Sequence, residues 1–146
     1  KGACSSRQLR AAVHTLRSTL RETPARMLRG YLEWGLGLLE MRAGAFRSAA
    51  RRLRRAAQAL AVGGDPILLG TLAHDVAELV GIAGSDSSSK GVSANAEKAL
   101  QVMAPVFEGR DEGIVATYQR SASIIRSAAR SSQTTRRPRT GRRTGS

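Results

Sequence analysis

The chain has 146 residues, enough for one compact domain and a tail, and 41% of them are hydrophobic. Only 3% are aromatic, so the core must be built from Leu, Ala, Val and Ile, and the abundance of Ala, Leu and Arg argues for helices and against a sheet. A net charge of +13 points to an anionic partner, and a lone Cys4 excludes an internal disulfide.

Ser5 or Ser6 caps a first helix that runs to about Glu22. Leu9, Val13, Leu16 and Leu20 recur at helical spacing, and Arg7, Arg10, Arg17 and Arg21 take the other positions. The Arg- and Ser-rich composition of residues 5–30 resembles a mitochondrial transit peptide and reads as a retained basic helix. Thr23-Pro24 reads as a cap and first helical position. A second helix follows to about Arg42, with Met27, Tyr31, Trp34, Leu38 and Met41 on one stripe and Leu28, Leu32, Leu36 and Leu39 on another. So much apolar surface predicts a central position. After Ala43-Gly44-Ala45, a third helix spans about Phe46 to Ala61. Phe46, Ala49, Ala50, Leu53, Ala56, Ala57 and Leu60 face inward. Gly63-Gly64 stops it.

Asp65-Pro66 starts a fourth helix, which runs to about Ala83 with Leu69, Leu72, Val76, Leu79 and Val80 apolar. Residues 84–92 form a Ser/Gly-rich linker. Ser93 caps a fifth helix that Pro105 bends or ends, and Asp111 caps a sixth along Ile114, Tyr118, Ser121, Ile125 and Ala128. The predicted organisation is a helical domain over 1–130 and a basic extended tail over 131–146. The fold class is all-α, a bundle of five or six helices. Without a long apolar run, no membrane span is expected.

Charge divides the chain. Residues 1–64 carry 13 basic and 3 acidic groups, residues 65–116 carry 3 and 8, and residues 117–146 carry 8 and none. Of the 24 basic residues, 21 are Arg, the side chain suited to bidentate phosphate contacts. Arg47, Arg51, Arg54 and Arg55 share one side of the third helix, where like charges four apart repel. RNA phosphate would relieve them. The alternative is a solvated face partly neutralised by Glu33 and Glu40 of the preceding helix. Arg136, Arg137, Arg139, Arg142 and Arg143 lie in a tail without apolar anchors, suited to ordering along an RNA groove. Arg7, Arg10 and Arg17 form a second basic patch.

His74, Asp75 and Glu78 share a helix, but with only His14 and Cys4 elsewhere the metal-ligand set is too small, so they read as the polar, solvent-facing side of that helix. No catalytic motif, cofactor site or small-molecule substrate site is expected. Gly35 and Gly37 read as close-packing positions.

Trp34, Leu36, Gly37, Gly44, Phe46, Ala49, Leu53 and Ala56 give the second and third helices a pattern that resembles one tetratricopeptide unit, over residues 31–64. Trp34 stands one place from the family's usual position, and the proline expected after the second helix comes late, at Pro66. The resemblance implies a helical-hairpin scaffold for protein contacts. Charge points to a structural RNA-binding component of a ribonucleoprotein such as an organellar ribosome, with rRNA and neighbouring proteins as partners. The rival expectation is a protein-interaction scaffold, an accessory subunit of a large complex or virion.

Overall fold

The computed structural model describes residues 5–22, 25–84 and 89–134. Among these, six α-helices and one 3-10 turn account for all regular structure: α1 (Ser6–Glu22), α2 (Arg26–Arg42), α3 (Phe46–Leu60), the turn Ala61–Gly63, α4 (Pro66–Ala83), α5 (Ser89–Phe107) and α6 (Glu112–Thr134). The all-α expectation holds, with six helices. The tail arginines and Thr23-Pro24 lie outside the described residues. α6 runs to Thr134, past the predicted domain boundary at 130.

Local chemistry explains several ends. At the start of α1, Ser5 Oγ accepts from the Gln8 backbone N–H at 3.3 Å and Gln8 Oε1 accepts from the Ser5 N–H at 2.9 Å, a reciprocal capping box. At α4, Asp65 Oδ1 accepts from the N–H groups of Ile67 and Leu68, and Pro66 opens the helix as predicted. Ser93 does not cap α5. That helix begins four residues earlier, and Ser93 is buried within it. Pro105 does not end α5 either, for two further residues remain helical.

α3, α4, α5 and α6 enclose the main core, α2 lies along α3, and α1 rests on α2. The inward face of α3 matches the sequence reading closely: Ala49, Ala50, Leu53, Ala56, Ala57 and Leu60 are all buried. α4 buries Leu69, Leu72, Val76, Leu79 and Val80. It is also long and apolar enough to cross a membrane by composition, and half of it is buried inside this bundle. Between α5 and α6, Phe107 and Tyr118 stack with ring centroids 4.1 Å apart, and the Tyr118 hydroxyl donates to the Leu100 carbonyl at 3.1 Å. Burial pushes the Tyr118 hydroxyl pKa up, against a smaller opposing effect from Arg126.

The second helix departs most from expectation. Met27, Leu28 and Tyr31 are exposed, and Trp34 is only half-buried. The buried positions are Gly30, Glu33, Leu36, Gly37, Glu40 and Met41. Gly30 and Gly37 stand seven apart on the side facing α3. A Cβ at Gly30 would come 2.8 Å from Leu60 Cγ, and one at Gly37 would come 2.9 Å from Leu53 Cδ2. Each apolar stripe contributes one residue to this face, Met41 and Leu36, and the absence of side chains at Gly30 and Gly37 lets the two backbones approach. Gly35, read from sequence as a second packing glycine, has nothing within 4 Å of its would-be Cβ.

The two kinds of glycine should therefore respond oppositely to alanine. Gly35→Ala is expected to gain roughly 0.5–1 kcal/mol from helix propensity. Gly37→Ala should lose about 1–3 kcal/mol as Leu53 is displaced. Urea denaturation of both variants checks this. Equal effects would show that α2 and α3 are not in close contact at Gly37.

Candidate nucleic-acid interface

Close approach of α2 and α3 brings two carboxylates into their seam. Glu33 and Glu40 lie one heptad apart on α2, and both are buried. Burying a carboxylate is costly unless it is paired, and the partners come from both sides. Arg52 Nη1 reaches Glu33 Oε2 at 3.1 Å, and Arg52 Nε lies 3.8 Å from Glu40 Oε1. Arg55 Nη1 stands 3.7 Å from Glu33 Oε1. From α1, Arg17 Nη2 donates to Glu40 Oε1 at 2.8 Å. Arg52 is the most enclosed of the three arginines, with 17% of its side chain exposed, against 50% for Arg17 and 52% for Arg55.

This arrangement separates the arginines read from the sequence into groups. Arg17 and Arg55 already face the protein's own carboxylates. Arg51 is exposed on the outer side of α3, and Arg54 is half-buried with its Nε enclosed and without a hydrogen bond. Neither has a carboxylate partner among the described residues. Arg47 is exposed at the end of α3 next to α5, its side chain beside Gly91. Arg7 and Arg10 are exposed on α1. The cluster on α3 is thus a fan, in which Arg52 turns into the seam, Arg55 stands at its rim and Arg51 points outward.

The sequence reading missed Arg52, Arg26 and Arg29. Arg52 could have been found from Glu33 and Glu40, because two acids seven apart on the glycine side of α2 require cations on the facing helix. Arg26 and Arg29 sit in the first turn of α2. They line, with Glu33, Arg55, Gln58 and Ala59, a hollow of about 270 Å³ at the open end of the hairpin. A second hollow, of about 390 Å³, lies between α1 and the α2–α3 turn and is lined by Leu9, Arg10, Val13, His14, Arg17, Glu40, Ala43 and Ala45.

His74 and Glu78 are exposed on α4. Asp75 turns inward, where its Oδ2 accepts from Trp34 Nε1 at 2.7 Å. Burial raises the Asp75 pKa above 3.8 and Glu78 adds to the rise, while the Trp34 hydrogen bond and His74 oppose it. No group of three metal-ligating side chains occurs among the described residues. No protein family, curated protein or solved structure matches the chain.

Two predictions follow from these contacts. Arg52→Met leaves two buried carboxylates with only their half-exposed partners and should cost about 3 kcal/mol in chemical denaturation. A loss below roughly 1 kcal/mol, the range of a surface pair, would show that the seam does not depend on charge. For Asp75, the folded carboxyl holds its proton more tightly than the unfolded one. The stability it contributes is fully present below 3.8 and is lost as pH rises through the raised folded value. Asp75→Asn retains an oxygen acceptor for the indole and should flatten that part of the stability–pH curve. An unchanged slope would assign the dependence to another group.

Proposed function

We propose that this protein is a structural RNA-binding component of a ribonucleoprotein, holding phosphates with the arginines on the outer side of α3. The observation that carries the reading is an unequal count in the α2–α3 hairpin. The hairpin's sequence carries eight arginines and two carboxylates, and both carboxylates are already engaged inside the seam. Arg51 and Arg54 keep their charge with no acid beside them, in a helix that contains none. Phosphate is the counter-charge to which guanidinium geometry is best matched.

Arg7 and Arg10 on α1 add a second contact area, and the tail arginines Arg136, Arg137, Arg139, Arg142 and Arg143 a third. Recognition of this kind acts through the backbone and not through bases. The one stacked aromatic pair, Phe107 and Tyr118, is buried and turned on itself, so it offers no platform for bases. No chemistry is assigned to the chain under this reading, and an organellar ribosome is one assembly that would suit it.

A protein-interaction scaffold is the second reading. It draws on the exposed Met27, Leu28 and Tyr31 on α2, apolar side chains at the edge of the hairpin that resembles a tetratricopeptide unit. A pull-down that survives nuclease treatment would favour it.

RNA affinity measured from about 50 to 200 mM salt tests the first reading. Log affinity should fall linearly with log salt, and Arg51→Gln with Arg54→Gln should reduce the slope by roughly 0.7–0.9 per lost phosphate contact. A flat response in the parent protein would overturn the proposal.

A further inference from the structure

The hollow at the open end of the α2–α3 hairpin has a composition that the outer face of α3 does not share. Three guanidiniums, those of Arg26, Arg29 and Arg55, line it with a single carboxylate, Glu33, and Gln58 and Ala59 complete the wall. Its formal charge is +2, and Glu33 is already held by Arg52 from outside the hollow. Arg26 is fixed by donating from Nη2 to the Gln58 carbonyl at 3.2 Å, which ties the first turn of α2 to the last turn of α3. Arg29 has no partner among the described residues, and it is exposed. Cations in the first turn of a helix stand against its dipole. Helix stability therefore does not explain why Arg26 and Arg29 are placed there.

We infer that this hollow receives a terminal phosphate, the 5′-phosphomonoester of an RNA strand. The inference rests on the RNA-binding reading above and names a distinct subsite within it. A phosphomonoester carries close to two negative charges at neutral pH and three acceptor oxygens. It thus matches both the charge of the hollow and the number of guanidiniums around it. A bridging phosphodiester carries one charge and offers two free oxygens, so it matches neither the charge of the hollow nor its three guanidiniums. Arg29 supplies the uncommitted guanidinium, Arg26 a fixed one, and Arg55 a third, turned from its long 3.7 Å contact with Glu33.

The test compares two short RNAs of one sequence, with a 5′-phosphate or a 5′-hydroxyl, by fluorescence anisotropy on the full chain at fixed salt. The parent protein should bind the phosphorylated strand about tenfold more tightly, as charge-assisted hydrogen bonds to one additional group allow. Arg29→Gln should abolish this preference while leaving affinity for the 5′-hydroxyl strand within about twofold, since Arg29 is placed outside the α3 face. Equal affinity for both strands in the parent protein, or a preference that survives Arg29→Gln, would overturn the inference. If neither strand binds, the RNA reading fails, and titration with a nucleoside 5′-monophosphate against the nucleoside decides the hollow separately. Saturable binding of the monophosphate alone, lost in Arg29→Gln, would keep the phosphate site. No binding would remove it.

Discussion

Glu33 and Glu40, buried between α2 and α3, set the terms for the rest of the molecule. Each brings a negative charge into a seam that two glycines have narrowed, so each needs a cation within reach. Arg52 serves both. Its capture fixes the rotation of α3 about its own axis. With Arg52 turned toward α2, Leu53 and Leu60 of α3 pack on the two glycines of α2, and Arg51 is left on the outside. The hydrophobic core and the basic surface thus follow from one orientation, and that orientation is specified by charge as well as by apolar pattern.

The parts of this arrangement that the sequence made legible are those where hydropathy and packing agree. In α3, small and large apolar residues at spacings of three and four marked the buried face correctly, because alanine and leucine there do nothing but pack. Asp65-Pro66 marked the start of α4 because the capping chemistry is local. α2 reads differently. Its buried face sets Gly30, Glu33, Gly37 and Glu40, none of which registers as hydrophobic, beside Leu36 and Met41, while Met27, Leu28 and Tyr31 register strongly and are exposed. Ser93 failed as a cap for a related reason. Serine is favoured at caps, yet a helix can also bury it, and the start of α5 at Ser89 was concealed by serines on every side.

The candidate site was legible as a surplus and not as a geometry. Counting charges identified an arginine-rich first half and a helix without acids. It did not show which guanidiniums the protein would keep for itself. Arg17 and Arg55 were read as phosphate contacts, with neutralisation by Glu33 and Glu40 as the alternative for the α3 face, and each stands near one of those carboxylates, whereas Arg26 and Arg29, which belong to no repeating pattern, line a hollow. Those assignments depend on which helix lies beside which, and a one-dimensional charge pattern does not contain that information.

The link between Arg17 and Glu40 has a consequence for the order in which the structure comes apart. Among the described side chains of α1 only Leu20 is buried, and Leu9, Val13 and Leu16 are half-covered. When α1 lifts away, Glu40 loses its hydrogen bond from Arg17 but is uncovered on that side and keeps the Arg52 charge at 3.8 Å. α1 is therefore the cheapest piece to release, and its amide protons should exchange with solvent well before those of α3 or α4.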